Sequence, residues 1–181
     1  MVRKLIICFL AVLLPLALSA QDHLDFLGIP LDGPLKTIVK PLRKAGFKYK
    51  DKSRDDHWFT GKYYGDPAEL FVATTAASGT VYLVMVNYPP KTDWPSLRNQ
   101  YEYIRMRLTA LYGEPTNKRE VFDFPYTEED GLRALEYGKC SWISSWALPE
   151  GVVSVSLTED FRVRVFFTDK SGLSLASQEK Q

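Results

Sequence analysis

The hydrophobic positions of this chain alternate between two spacings. Leu35, Ile38, Val39 and Leu42 recur at helical spacing, with Asp32 or Gly33 as the cap, Pro34 in the first turn and Gly46 just past the end. Pro41 falls inside this short helix, where it removes one backbone donor and crowds the preceding turn, so a kink or a break is expected there. Trp94, Leu97, Tyr101, Ile104, Leu108 and Leu111 share one face of a second, longer helix, with Asp93 before it, Pro95 in its first turn and Gly113 after it. Arg98, Arg105 and Arg107 read as the solvated face of that helix.

Each helix is followed by stretches rich in β-branched and aromatic residues. After the first come HWFTGKYYG, AELFVATTA and TVYLVMVNY, separated by turn signals at Asp66-Pro67 and Ser78-Gly79. After the second come KREVFDFPY, LEYGKCSWISSWAL, GVVSVSLTE and FRVRVFFTD, the last two joined by a tight turn near Glu159-Asp160. The order of helix and strands therefore occurs twice. Gly46 and Gly113 close the two helices, and Gly61-Lys62 and Gly138-Lys139 sit in the strand region of each half. The glycines are 67 residues apart and the Gly-Lys pairs 77 apart, so the second copy carries about ten extra residues, mapping to PYTEEDGLRA. The expected fold is α+β: two helices packed on antiparallel sheet of about seven strands, a tandem duplication of helix plus strands built either as two lobes or as one continuous sheet. Its repeats span 28–90 and 93–169 of a single domain over 21–169, and 170–181 is expected as a flexible tail.

The amino terminus changes the picture of where this domain works. Arg3 and Lys4, an apolar run from Leu5 to Leu18, and small Ser19 and Ala20 before Gln21 form the three parts of a secretory signal peptide over 1–20. The apolar run contains Pro15 and falls short of the roughly 20 residues that span a bilayer, so no membrane span is expected after cleavage. An exported protein, periplasmic or secreted, is the expectation. With Arg3 and Lys4 removed from the 23 basic residues, 21 face 22 Asp and Glu, a balance that gives no footprint for nucleic acid or an anionic surface.

Candidate chemistry is sparse. Cys140, in GKCSWISSW, is the one cysteine left after removal of the signal, so it has no internal disulfide partner. Strand alternation puts it on the side of Gly138, Trp142, Ser144 and Trp146, the expected core face, where a free thiol packs as a small apolar group. A hydrolase-like Cys-His pair could only use His57, because His23 lies near the new amino terminus. The DKSRDD stretch from Asp51 starts like a calcium loop but has Asp56 in place of the required Gly and Lys62 in place of Glu, and reads as a polar turn. No metal site and no cofactor are expected. The inserted segment alternates through Phe122, Phe124 and Tyr126 into the acids Glu128, Glu129 and Asp130. With Arg133 and Tyr126 these acids form the candidate binding residues, since loops on a rigid scaffold often carry function.

The runs FLGIPLDGPLKTIVKPLRKAGF, FTGKYYG and DWPSLRNQYEYIRMRLTALYGEP resemble an uncharacterised family of small exported proteins of Gram-negative gut anaerobes. The matching positions are Gly28, Ile29, Pro30, Gly33, Gly46, Phe47, Phe59, Gly61, Tyr112, Gly113 and Pro115, while Pro41 departs from the pattern. The resemblance implies a shared fold and export and supplies no activity. The repeated helix-plus-sheet plan also looks like that of the β-lactamase inhibitor protein and of outer-membrane assembly lipoproteins, an analogy of layout that favours binding over catalysis. The expected function is a non-enzymatic exported binding protein whose partner is a protein or a glycan outside the cytoplasm. A small extracytoplasmic enzyme and an envelope structural component are the alternatives.

Overall fold

The computed structural model of the protein describes residues 23–53 and 56–179. The expected signal peptide with its cleavage bond, and Arg54 and Asp55 of the DKSRDD stretch, lie outside the described residues. The chain begins with a hairpin of β1 (Asp25–Phe26) and β2 (Ile29–Pro30). It then runs through α1 (Leu35–Lys44), β3 (Lys48–Ser53), β4 (Asp56–Tyr63), β5 (Asp66–Thr74) and β6 (Val81–Asn87). The second half has α2 (Trp94–Tyr112), β7 (Asn117–Phe122), a short 3-10 turn (Glu128–Asp130) and α3 (Gly131–Glu136). It ends with β8 (Cys140–Leu148), β9 (Gly151–Leu157), β10 (Val163–Asp169) and α4 (Lys170–Gln178).

The protein is α+β, with four α-helices among the described residues where two were expected. Strands β3 to β10 form one antiparallel sheet of eight in the order β3-β4-β5-β6-β10-β9-β8-β7, so the reading as two separate lobes gives way to one continuous sheet. Each half supplies four strands, and the last strand of each meets its counterpart at the centre, where Val165 of β10 lies opposite Val86 of β6. The strand missing from the sequence reading is β3, KYKDKS. It forms one edge of the sheet, and β7, NKREVF, forms the other. Basic residues on an edge strand discourage pairing with another chain, and the same charges hide the strand from a hydrophobic pattern.

One face of the sheet carries the core. Phe59, Leu70, Val72, Val84, Val86, Val153, Val155, Val163 and Val165 alternate onto it and are fully buried under Ile38 and Leu42 of α1 and Leu97, Tyr101, Ile104 and Leu108 of α2. Helix α1 is continuous through Pro41, against the expected break, and its cap position is Pro34 rather than Asp32 or Gly33. Ile38 and Leu42, each 1% exposed, hold it in the core on both sides of the proline. Burial of two such side chains at about 1.5–3 kcal/mol each offsets the roughly 3 kcal/mol that an internal proline costs. In α2 the Asp93 carboxylate accepts from the Ser96 amide at 2.8 Å and Gly113, at φ 79°, ends the helix. Leu111, expected on the buried face, is 63% exposed. Four residues after Leu108, Tyr112 takes the core-facing place instead and packs near Trp146, whose indole N–H donates to the Gly113 carbonyl at 2.8 Å.

The helices do not close the core alone. Phe26 of the β1–β2 hairpin is 1% exposed and lies against the rings of Phe47, Tyr63 and Phe167, plugging the first half where α1 is short. In the second half β7 ends at Phe122 and β8 begins at Cys140, whereas β3 ends at Ser53 and β4 begins at Asp56. The extra chain therefore falls between the first two strands of that half, around PYTEEDGLRA. The two Gly-Lys pairs are not equivalent landmarks, because Gly61-Lys62 is near the end of β4 and Gly138-Lys139 precedes β8. Residues 170–178, expected as a tail, form α4. The Asp169 carboxylate, wholly buried, accepts from the Gly172 amide at 2.6 Å and the Leu24 amide at 2.9 Å, so one side chain holds both ends of the described chain.

Candidate binding surface

The second face of the sheet is the face that α1 and α2 leave open. Strand alternation assigns to it the residues that are not in the core, and the register brings four large apolar ones into a single row across adjacent strands. Trp58 of β4 lies opposite Phe71 of β5, Phe71 opposite Met85 of β6, and Met85 opposite Phe166 of β10. All four are half-buried, and the Trp58 and Phe71 rings meet edge to face at 5.0 Å, while α4 packs against the start of β6, where Gly172 lies against Tyr82. Past Phe166 the row continues as Ser154 of β9 and Ser145 of β8. The open face is thus apolar over β4, β5, β6 and β10 and hydroxyl-bearing over β9 and β8. The sequence reading missed this row because β4 and β5 carry apolar residues on both sides, so alternation alone does not tell which side is covered.

Two residues along each strand a second row runs parallel to the first: Lys48, Thr60, Glu69, Asn87, Arg164, Ser156, Ile143 and Arg119. Its side chains are tied together. Lys50 donates to Glu69 at 2.6 Å, Arg164 donates to the Asn87 side-chain oxygen at 2.6 Å, and Asp160 sits 2.8 Å from Arg162 and 3.8 Å from Arg164. Burial alone would raise the Asp160 carboxyl, but the Thr158 hydroxyl and the two guanidinium groups outweigh it and hold the carboxyl below its usual range. Depressions open at this end of the face. One of about 600 Å³ lies between the start of β8 and the β9–β10 turn, bordered by Cys140, Ser141, Thr158, Asp160 and Arg164. Two more, of about 550 and 370 Å³, share Thr60 and Gly61.

Cys140 borders the first depression, half-buried and packed against the core cluster. Burial, with a smaller push from Asp123, raises its thiol to about 11, so at neutral pH it is protonated and a poor nucleophile. His57 is no partner for it. Strands β5, β6, β10 and β9 stand between β4 and β8, a separation of roughly 24 Å at about 4.8 Å per strand, and His57 is 93% buried with its Nδ1 3.1 Å from the Tyr49 hydroxyl. A hydroxyl cluster that the sequence did not announce joins Tyr101, Ser144 and Glu120 at 2.9 and 3.3 Å, yet Tyr101 and Ser144 are fully buried beneath α2, where no substrate reaches them. Among the described residues no group of three or more His, Cys, Asp and Glu stands close enough to hold a metal, and no helix is long and apolar enough to cross a membrane.

The candidate binding residues of the inserted segment sit on the helix side of the molecule. Glu128 pairs with Arg98 of α2, Arg133 lies over the Tyr126 ring at 5.8 Å, and the Asp130 carboxylate accepts from the Thr127 amide at 3.1 Å. Glu129 is exposed. Behind them Gly131 is buried against Trp94, and Trp94, Trp142 and Phe122 form one aromatic cluster with centroids 5.0 to 5.4 Å apart. The segment therefore lids the Trp94 end of the core, and its distal end, through Leu135 and Gly138, borders the depression beside Cys140. Of the two adjacent tyrosines at the end of β4, Tyr63 closes the strand and is buried, while half-buried Tyr64, in the turn that follows at φ 50°, has the Arg107 guanidinium 4.8 Å above its ring. No known family, no curated protein and no solved structure matches this chain.

Proposed function

We propose that the protein is an exported, non-enzymatic binding protein that takes a protein partner on the open face of its sheet. The observation that carries this reading is the row of Trp58, Phe71, Met85 and Phe166 on adjacent strands, on the side of the sheet opposite α1 and α2. Aromatic residues, Met and Arg are the types enriched at the centres of protein interfaces, and here Arg162 and Arg164 flank the row. Export rests on the three-part signal at residues 1–20. A tandem duplication of the helix-plus-four-strand unit accounts for the breadth of the face, since joining β6 to β10 doubles the width that either half would offer. The inserted segment is a second contact: Tyr126, Glu128, Glu129, Asp130 and Arg133 stand on the chain that walls the Cys140 depression.

The test is capture from envelope and medium fractions with the mature protein as bait, run beside the double variant Phe71→Ser/Met85→Ser and the double variant Glu129→Ala/Arg133→Ala. A protein retained by the wild type should be lost by the first variant and weakened by the second. Equal recovery by the first variant, with its fold verified by circular dichroism, would refute the open face as the site. Retention on a glycan array that disappears in Trp58→Ala would replace the protein partner by a glycan.

A further inference from the structure

The charges beside the apolar row have a direction. At the end of the face formed by β3, β4, β5, β6 and β10, the cations are Lys48, Lys50, Lys62, Arg162 and Arg164, and the carboxylates are Glu69, Asp160 and, on the side toward β8, Glu159. Glu69 is engaged by Lys50 and Asp160 by the two arginines. Lys48 and Lys62 are exposed, and among the described residues neither has an ion-pair partner. They border the same depression of about 550 Å³, together with Ala45 and Gly46 past the end of α1 and Thr60 and Gly61 of β4. The chain as a whole is nearly neutral, at a formal +1 including the signal, so this surplus is local. Register fixes its place relative to the apolar row: Lys48 lies opposite Thr60, and Thr60 is two residues along β4 from Trp58. Two residues of strand span roughly 7 Å, so the lysine row and the Trp58–Phe71–Met85 row are one side-chain spacing apart.

We infer that the occupant of the open face is an acidic protein segment, with an aromatic or aliphatic side chain seated on the apolar row and carboxylates one spacing away on Lys48 and Lys62. This rests on the reading of the open face as the binding surface and adds the chemistry of its partner. A second copy of this chain fits less well, because two surplus-positive ends brought near each other repel, and like charges across an interface disfavour the wrong partner. The exposed lysines steer the encounter and the half-buried row supplies the anchor, so the two contributions respond differently to salt.

Panning a random peptide library displayed on phage against the immobilised mature protein tests this, followed by calorimetry of the enriched peptides at low and high salt. Enriched sequences should carry Asp or Glu beside an aromatic, Leu or Met residue. Their binding should fall about tenfold or more in Lys48→Glu/Lys62→Glu, fall with added salt, and vanish in Phe71→Ser/Met85→Ser. Lys48 and Lys62 are exposed, so the charge-reversed variant keeps the native fold, which its thermal unfolding curve checks. Neutral or basic peptides, or acidic ones indifferent to the lysine variant, would overturn the acidic partner while loss of binding in the Phe71/Met85 variant leaves the open face standing. Peptides that neither variant weakens would remove both readings. Absence of enrichment counts against the acidic segment, and if sedimentation then shows self-association abolished in the Phe71/Met85 variant, the occupant is a second copy.

Discussion

In the first half of the protein the 10-residue helix α1 and the β1–β2 hairpin close the core over β3 to β6. In the second the 19-residue helix α2 and the chain between β7 and β8 close it over β7 to β10. The two covers are unrelated in shape but meet one requirement, since each half of the sheet presents more apolar surface than its own helix spans. Phe26 fills the gap on one side and the Trp94–Trp142–Phe122 cluster, sealed by α3, fills it on the other. On the open face no such requirement operates, and there the halves differ in chemistry. Its central row is Trp58, Phe71 and Met85 in the first half but, past Phe166, Ser154 and Ser145 in the second. The core face of both halves is constrained by folding, and on the opposite face the row of large apolar side chains is confined to β4, β5, β6 and β10.

Removing the plug of the first half gives the largest effect. Phe26→Ala should cost about 3–5 kcal/mol, measured by urea unfolding, because a ring touching Phe47, Tyr63 and Phe167 leaves a cavity that fixed strands do not refill. In urea unfolding of the protein the transition should stay single, since β6 and β10 pair across the centre along five residue pairs. Two separate steps would show instead that the halves unfold independently.

The corresponding change in the second half adds atoms rather than removing them. A Cβ at Gly131 would sit 2.3 Å from Trp94 Cγ, so Gly131→Ala must push α3 off the indole. A loss of about 1–3 kcal/mol is expected, with a red shift of the tryptophan emission as the Trp94 cluster opens to water. Unchanged stability and emission would mean that α3 is not a fixed lid.

The smallest effect belongs to Cys140. Cys140→Ala should cost about 1 kcal/mol or less, since the side chain is only half-buried. Its titration gives a sharper readout. Burial raises the thiol from 9.0 to about 11, so the neutral form is favoured by the fold; that contribution is complete below pH 9 and is lost as pH rises through 11. Alkylation of the native protein should therefore climb with pH up to about 11 and at pH 8 run roughly a hundredfold slower than in the unfolded chain, two pH units of thiolate fraction. Rapid native labelling at neutral pH would show that the thiol is reactive.

The elements that could be read from sequence are those whose burial is one-sided. Trp94, Leu97, Tyr101, Ile104 and Leu108 announce α2 because the opposite side of that helix is wet, and the alternation of Trp142, Ser144 and Trp146 announces the core face of β8 for the same reason. Where that contrast is missing the pattern is silent. Edge strand β3, KYKDKS, has no aliphatic residue to alternate, α4 is mostly small and polar with only Gly172 and Ala176 buried, and the β1–β2 hairpin turns on Leu27 at φ 55°, a residue seldom found there. Of the candidate site, strand alternation in the sequence puts Cys140 on the side of Trp142 and Trp146, and the structure shows it half-buried against the core cluster. That the inserted segment seals Trp94, and that His57 is four strands removed from Cys140, depends on contacts between distant elements.

Sequence by itself determined the two rounds of helix followed by strands, the turns at Gly46 and Gly113 and the side of each strong strand that faces the core. These follow from local steric rules and from the period of apolar residues, both written within a few positions of each other. Tertiary structure decided that β6 and β10 pair into one sheet, that the hairpin and the insertion complete the two covers, and that Trp58, Phe71, Met85 and Phe166 align on the face opposite α1 and α2. Strand order is set by the packing of the whole core, in which Met85 and Phe166 become neighbours although far apart in the chain, and no local pattern carries that information.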